Sequence, residues 1–328
     1  MSMFRRMQLA QSRLIEAWAE AATQAAAIGR VSELTGFGSN PGNLRMLTYA
    51  PLRLPAGRPL VVVLHGCGQD AARFAADAGW LDLARHRGLA LLLPEQTSAN
   101  NRGLCFSWFR AEDVRRGSGE ALSIRQMVRL AATRYRSDRR RVFIAGFSAG
   151  GGMAAAMLAA YPAVFAAGGV AAGMPVGAVR TQMQAVLRMR HGNPLRLRHY
   201  LAATVRAMAP PRVSRAWPRL SIWQGGRDHT VNPRNAEALA AQWSELHGWG
   251  VEPSVREEPL PGVQRRAWGR ARRPAVELWT LDDVGHGFPV DPRRAGGGRV
   301  GPWVVDAGLS AAQQMAAFWG LEVQRLRR

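Results

Sequence analysis

Short apolar runs alternate with helical patterns along most of this chain, and that alternation limits the fold more than any other feature. Residues 60–64 read Leu-Val-Val-Val-Leu, a continuous apolar run without a polar position. Such a run is typical of a parallel strand buried on both faces. Comparable runs stand at residues 89–93, 141–145, 165–171, 220–223 and 276–280, with helical patterns at 71–87, 121–135, 149–160, 234–247 and 309–319. The sequence therefore predicts an α/β fold: a doubly wound, mostly parallel sheet with helices on both faces.

Length and charge exclude several classes of protein. The 328 residues, 47% of them hydrophobic, suffice for one large domain over residues 31–328, with an edge strand at 43–50. No apolar stretch approaches the roughly 20 residues that span a bilayer. The net charge of +21 comes from 44 arginines and no lysine, scattered along the chain. We interpret it as a solvated basic surface and expect no nucleic-acid partner.

Residues 1–30 predict a separate amphipathic segment. Gln8, Arg13 and Glu16 interrupt the apolar run that a secretory leader needs. Apolar residues recur there at helical spacing instead, namely Met7, Leu14, Trp18, Ala21, Ala25 and Ile28. We expect an amphipathic helix that either packs on the domain or associates with a membrane or granule surface. The expected location is the cytoplasm, or outside the cell by a non-classical route.

The alternation of strands and helices breaks between residues 174 and 218. Two short helices are predicted there, at residues 182–189 and 197–208, separated by a turn at His191-Gly192-Asn193-Pro194. An insertion at this point of the chain lies over the carboxyl ends of the strands, where ligands bind in open α/β sheets. We interpret it as a small helical cap that shapes a substrate pocket. A surface insertion without a role in binding is the alternative.

The pentapeptide Gly146-Phe147-Ser148-Ala149-Gly150 lies between a predicted strand and a predicted helix. In this context G-x-S-x-G places the serine on a strained turn, exposed at the top of the sheet. Side chains at the two glycines would collide with the neighbouring strand and helix. The helix that follows also stabilises negative charge at its N-terminus. We therefore predict that Ser148 is a nucleophile.

A glycine-rich loop, His65 to Gln69, follows the first strong strand. This is where an oxyanion loop is expected, with the backbone N–H groups of Cys67 and Ala149 as its two donors. His65 is interpreted as ordering the loop by hydrogen bonds. The other cysteine, Cys105, lies in a second predicted loop near the site. The residues alone leave open whether the two cysteines are bonded, because two are too few for a disulfide framework.

The base that activates a serine nucleophile follows late in the chain in such folds. His286 lies after the last predicted strand, and Gly285 and Gly287 suit a loop that projects an imidazole over Ser148. His229 is a weaker candidate, because it directly follows the best acid. One short loop does not easily orient both partners. We predict His286 as the base.

The acid is expected after the preceding strand. Asp228 stands there, within the segment Trp223 to Val231. From this position it would hold the Nδ1–H of His286 and stabilise the imidazolium. Asp282 and Asp283 are alternatives, but they lie at the end of the strand that carries the base.

An ordered set of motifs resembles the polyhydroxybutyrate depolymerase family of esterases. The set comprises His65-Gly66-Cys67-x-Gln69, Pro94-Glu95-Gln96, Cys105-x-x-Trp108-Phe109, the pentapeptide around Ser148, Gly225-x-x-Asp228-x-x-Val231-Asn232-Pro233 and Gly285-His286. The resemblance implies an α/β-hydrolase fold related to feruloyl and acetyl-xylan esterases. It implies the triad Ser148, Asp228 and His286, and a bond between Cys67 and Cys105. By the same resemblance Trp108 lines the substrate site, and His65 and Gln69 are expected beside it.

The expected activity is that of a serine esterase without a metal or cofactor. Its expected substrates are short-chain carboxylic esters or 3-hydroxybutyrate oligomers and polymer. A feruloyl- or acetyl-xylan-type esterase is the alternative within enzymes. A granule- or membrane-surface binding protein that uses the N-terminal helix is the alternative of another class. The sequence leaves acyl-chain length and oligomeric state open.

Overall fold

The computed structural model describes residues 30–179, 181–193, 198–211 and 216–321. The amphipathic helix predicted for residues 1–30 falls, apart from Arg30, outside these ranges. The strands within them are β1 Ser32–Leu34, β2 Arg45–Tyr49, β3 Leu60–Leu64, β4 Ala90–Glu95, β5 Val142–Phe147, β6 Ala167–Ala171, β7 Arg219–Gly225, β8 Val255–Leu260, β9 Val263–Arg270, β10 Arg273–Leu281, β11 Phe288–Val290 and β12 Val304–Asp306.

Helices fill the connections between the strands. Their bounds are α1 Ala71–Asp77, α2 Trp80–Arg87, α3 Ala111–Val114, α4 Gly119–Arg134, α5 Ala149–Ala160, α6 Gln182–His191, α7 Arg198–Met208, α8 Arg234–Leu246 and α9 Ala311–Phe318. No helix in the described ranges is long and apolar enough to cross a bilayer.

Ten strands form one sheet in the order β1-β2-β4-β3-β5-β6-β7-β10-β9-β8. The six central strands, from β4 to β10, pair in parallel. The strands at both edges pair antiparallel. The predicted mostly parallel sheet is confirmed. Because the central strands are parallel, their carboxyl ends share one edge, where the loops that carry function meet.

Strand β3 shows why the sheet needs helices on both faces. Leu60, Val62 and Leu64 belong to the core that contains residues of α4, α5 and α8. Val61 and Val63 point the other way, into a second core with residues of α1, α2 and α9. Each of these side chains is buried and contributes roughly 1.5–3 kcal/mol relative to exposure. A strand with one polar face would instead place polar side chains against one of these two apolar layers.

Both edges of the sheet differ from the prediction. The strand predicted at residues 43–50 is β2, but it is not an edge strand because β1 pairs with it. At the far edge β8 and β9 add a hairpin that was not predicted. Their sequences, VREEPL and VQRRAWGR, are rich in charge. Ion pairs such as Arg265 with Glu257 and Glu277 occupy that surface, so the strands lack the apolar run that marks the central ones.

The helix predicted at residues 71–87 is two helices. Gly79 separates them with φ of +82°, in the left-handed region that glycine occupies without strain. Between β6 and β7, helices α6 and α7 occupy the segment where two short helices were predicted. The residues that follow α6 are tied to α8 by hydrogen bonds, among them Asn193 Nδ2 to Asn235 Oδ1 at 2.7 Å.

Candidate active site

Ser148 stands at the junction of β5 and α5, at the shared carboxyl edge of the parallel strands. Its backbone has φ of +53° and ψ of −118°, a strained conformation for a residue with a side chain. The Ser148 N–H donates to the carbonyl of Ala171 on the neighbouring strand, at 2.9 Å. This bond and the start of α5 hold the hydroxyl above the sheet edge, as expected for a nucleophile elbow.

The two glycines of the pentapeptide are required by backbone packing. A Cβ atom on Gly146 would collide with the carbonyl of Gly150, and one on Gly150 would collide with the carbonyl of Leu64. Both obstacles are main-chain atoms of adjacent elements, which do not move aside as a side chain can. The collisions expected from the sequence are therefore present.

His286 bridges Ser148 and Asp228. Its Nε2 lies 3.1 Å from the Ser148 Oγ, and its Nδ1 lies 2.8 Å from Asp228 Oδ2. Because a carboxylate accepts, Nδ1 carries the proton and Nε2 is free to accept from the hydroxyl. The structure thus brings together the three residues that the sequence singled out for nucleophile, base and acid.

The carboxylate of Asp228 is fully buried and has a partner for each oxygen. Oδ1 accepts from the backbone N–H groups of Thr230 at 2.9 Å and Val231 at 2.7 Å. Oδ2 accepts from Gln224 Nε2 at 3.1 Å besides His286. These donors stabilise the negative charge and fix the carboxylate plane toward His286. Its orientation is set by the loop after β7.

The alternative residues for acid and base lie on the outside. His229 is exposed, although it follows Asp228 directly. Asp282 and Asp283 are exposed as well, and Asp283 pairs with Arg227 at 2.7 Å. None of the three takes part in the hydrogen-bond chain at Ser148.

The loop after β3 brings Cys67 to the wall of the same cavity as Ser148 and Ala149. Gly66 N–H donates to Gln69 Oε1 at 2.8 Å, and Gly68 N–H donates to the carbonyl of Gly103 at 2.8 Å. The N–H of Ala149 opens helix α5 and has no carbonyl partner within it. The loop and the start of α5 thus both contribute to the cavity wall beside Ser148.

A cavity of about 150 Å³ lies over Ser148. Trp108 and Phe109 form part of its wall, and helix α6 supplies Val186 and Met189 on the opposite side. The segment between residues 174 and 218 therefore contributes directly to this pocket. Across the described residues no group of three or more His, Cys, Asp or Glu is placed to hold a metal ion.

A family model described as "Esterase PHB depolymerase" matches residues 47–257 of this sequence. The chain belongs to that family. Poly(3-hydroxyalkanoate) depolymerase C of Paucimonas lemoignei is 34% identical over 92% of this chain and 72% of its own length. Acetylxylan esterase A of Aspergillus oryzae is 28% identical over 80% of this chain and 85% of its own. The protein is a carboxylic ester hydrolase.

Solved structures agree on the fold. An acetyl xylan esterase from Aspergillus awamori superposes with a TM-score of 0.76 at 23% identity, covering 90% of this chain and all of that one. An S-formylglutathione hydrolase from Agrobacterium tumefaciens gives a TM-score of 0.52 at 16% identity, over 80% and 90% of the two chains. The predicted α/β-hydrolase fold is confirmed.

A disulfide joins Cys67 to Cys105 in this member of the depolymerase family. The Cα atoms lie 4.3 Å apart, so the loop after β3 and the loop after β4 are held in contact at the cavity wall. The pairing that the resemblance implied is present. It ties the loop that presents Cys67 to the segment that carries Trp108.

His65 orders the loop by hydrogen bonds, as its sequence context indicated, but neither His65 nor Gln69 lines the cavity over Ser148 as expected of substrate-binding residues. The His65 ring is buried, with Nδ1 2.8 Å from the Gly66 carbonyl and Nε2 accepting from the Gln96 N–H at 3.1 Å. Burial lowers the pKa of His65 and favours this neutral form. Gln69 bonds the Gly66 N–H and the Pro302 carbonyl. Both side chains order the loop, and neither has a polar atom left for a substrate.

A buried carboxyl behind the cavity escaped the sequence reasoning. Glu120 Oε1 accepts from Gln96 Nε2 at 2.7 Å, and Oε2 accepts from the Ser107 N–H at 2.9 Å. Burial, together with the nearby Asp113 carboxyl, raises the pKa of Glu120 to about 7. The helix predicted at residues 121–135 begins in the structure at Gly119, so Glu120 lay just outside the predicted element. The Pro94-Glu95-Gln96 motif was the one available signal that this region is special.

Proposed function

We propose that the protein is a serine esterase in which Ser148 attacks the ester carbonyl. His286 Nε2 takes the hydroxyl proton as the bond from Oγ to the carbonyl carbon forms, and Asp228 stabilises the imidazolium. The imidazolium then protonates the departing alkoxide and leaves an acyl group on Ser148. Water, deprotonated by His286, attacks that acyl group and releases the acid. The observation that carries the proposal is the unbroken chain from Ser148 through His286 to buried Asp228.

The oxyanion of each tetrahedral intermediate is assigned to the N–H groups of Cys67 and Ala149. Both residues line the cavity with Ser148. Preorganised donors of this kind contribute about 3–4 kcal/mol each to transition-state stabilisation in enzymes where one has been removed. The Cys67–Cys105 bridge holds one of these donors in place, which supports the assignment.

The proposed substrates are short-chain carboxylic esters and 3-hydroxybutyrate oligomers. The 34% identity with a poly(3-hydroxyalkanoate) depolymerase supports this class. Exposed apolar side chains support it as well, because Val186, which lines the cavity, is 44% exposed and Trp303, beside the His286 ring, is 52% exposed. Apolar side chains at the mouth suit an aliphatic polyester better than a hydroxyl-rich carbohydrate.

A substrate panel tests the proposal. Short p-nitrophenyl esters, a 3-hydroxybutyrate trimer, acetylated xylan and a feruloyl ester would be assayed with wild type and Ser148→Ala. We expect the short esters and the trimer to be hydrolysed, and Ser148→Ala to lose that activity by several orders of magnitude. Unchanged hydrolysis in Ser148→Ala would overturn the serine mechanism. Preference for xylan or feruloyl esters would overturn the substrate class.

A further inference from the structure

A second, larger cavity of about 330 Å³ lies directly behind the catalytic one. The catalytic cavity, at about 150 Å³, has less than half that volume. The two share three wall residues, Trp108, Phe109 and Met174. The two cavities are therefore adjacent, and these three residues contribute to the walls of both. We call the larger one the side pocket.

The floor of the side pocket is helix α5, the helix that begins immediately after Ser148. Gly152 and Ala156 contribute to that floor. They follow Ser148 by one and two helical turns, which places them about 6 and 12 Å along the helix axis from the nucleophile. The side pocket therefore extends away from the reacting atom along one rigid element.

The walls of the side pocket are mostly apolar. Aliphatic side chains come from three separate segments of the chain: Ala111, Val114, Val176, Val179 and Met208. Among the described residues that line it, Arg115 carries the one formal charge. The Thr204 hydroxyl is engaged with the carbonyl of Tyr200 at 3.1 Å. An occupant of this space gains from apolar burial and finds few hydrogen-bond partners.

Trp108 is the partition between the two cavities. Its indole lies on the backbone of Gly152, where an added Cβ would stand 2.8 Å from Trp108 Cγ. Only a glycine at this position lets the ring lie so close to the helix. Trp108 is half-buried and packs edge-on against Phe109, with ring centroids 5.6 Å apart. Because its indole belongs to the walls of both cavities, a chain that runs from one cavity to the other passes Trp108.

We propose that the side pocket receives the tail of a medium-length aliphatic acyl group whose carbonyl is at Ser148. The inference rests on the proposed acyl-enzyme mechanism and extends its substrates beyond short acyl groups. An acetyl or butyryl group stays within the catalytic cavity. A longer chain passes Trp108 and runs along α5 over Gly152 toward Ala156. The occupant is aliphatic because apolar side chains make up most of the walls, so a hydrocarbon tail gains more from burial there than a polar one.

Helix α7 offers a matched pair of variants to test this. Both are exposed alanines one turn apart on that helix, but Ala207 lines the side pocket and Ala203 does not. Ala207→Trp would fill the pocket from its wall, and Ala203→Trp places the same bulk outside it. The assay is kcat/KM for p-nitrophenyl acetate, butyrate, octanoate and dodecanoate, with a cinnamoyl ester as the aromatic comparison.

We expect Ala207→Trp to lower the ratio of octanoate to acetate kcat/KM by roughly tenfold or more, and Ala203→Trp to leave it unchanged. Trp108→Ala, which removes the partition, should shift the ratio the opposite way. Equal ratios in the two tryptophan variants, or a loss confined to the cinnamoyl ester, would overturn the proposal. A wild type inactive on every ester, or an active Ser148→Ala, would instead count against the mechanism itself.

Discussion

The Nε2 atom of His286 lies 3.1 Å from the Ser148 hydroxyl oxygen, across 138 residues of sequence. The contact depends on the parallel sheet, because Ser148 follows β5 and the His286 loop follows β10, three strands away in the sheet order. Phe147 packs against the imidazole, with ring centroids 5.0 Å apart. The imidazole is thereby held in place by packing against Phe147 and by its hydrogen bond with Asp228.

Asp228→Asn should lower kcat by about a thousandfold to ten-thousandfold with little change in KM. An amide presents either a donor or a weaker acceptor to Nδ1, so the imidazole loses the tautomer that leaves Nε2 free, as in other triads. The measurement is steady-state kinetics on p-nitrophenyl butyrate. Asp283→Asn is the matched control, because Asp283 is exposed and its partner is Arg227. Similar losses in both variants would show that Asp228 has no special role.

Glu120 predicts a pH dependence of stability. Its pKa is about 7 in the folded protein and 4.5 as the reference value, so between these values the folded state binds more protons than the unfolded one. The free energy of unfolding should therefore fall by about 1–3 kcal/mol as pH rises from about 4.5 to about 7, with no further change above.

Urea denaturation at several pH values checks this expectation by comparison with Glu120→Gln. The variant keeps the side-chain shape without an ionisable group, so its pH profile should be flatter through that window. Glu112→Gln, on an exposed carboxylate nearby, should retain the wild-type profile. Superimposable profiles for wild type and Glu120→Gln would mean that the Glu120 carboxyl ionises in the folded protein as it does in water.

Removing the Cys67–Cys105 bridge should lower both stability and activity. The bridge closes a loop with a sequence separation of 38 residues. Constraining a loop of that size stabilises a fold by about 2–4 kcal/mol. The double variant Cys67→Ala/Cys105→Ala should lose that amount and also show a lower kcat, since the Cys67 N–H is less well held. Dithiothreitol should lower the stability and activity of wild type and leave those of the double variant unchanged. Equal losses in the two proteins would contradict the account.

Trp303 should affect insoluble substrate more than soluble ester. Its side chain is 52% exposed beside the His286 ring, so Trp303→Ala removes exposed apolar surface there with little change in packing. We expect slower release of product from polyester particles and nearly unchanged kcat/KM on p-nitrophenyl butyrate. Trp249→Ala is the control, since Trp249 is also exposed, at 37%. Equal rates of product release from particles for the two variants would show that Trp303 does not contact the polymer.

The central strands and the residues around Ser148 could be predicted because their signals are local. Residues 60–64 are apolar without interruption. Glycine is required on both sides of Ser148 because a Cβ atom at either position would collide with main-chain atoms. Strands β8 and β9 were missed because ion pairs rather than an apolar run cover them. Strand β1, three residues long, is defined by its pairing with β2 and carries no pattern of its own.

Side-chain roles were harder to predict than positions. His65 lies in the predicted loop, but the sequence does not show which way its ring faces. The ring faces the interior, where its Nε2 accepts from the N–H of Gln96, the residue after β4. Glu120 is buried because Gln96 and the Ser107 N–H converge on it from a loop distant in sequence. Such partners become visible only when the chain is folded. The side pocket is likewise a product of three segments meeting over α5.

The most direct test of the central claim is to locate the covalent adduct of an ester-mimicking phosphonate. Wild-type protein would be treated with a p-nitrophenyl alkylphosphonate, followed by intact-mass measurement and peptide mapping. The account predicts one adduct per chain, carried by Ser148, and no adduct in Ser148→Ala under the same conditions. A stoichiometric adduct on another residue, or an unmodified Ser148 in protein that is nonetheless inhibited, would contradict it.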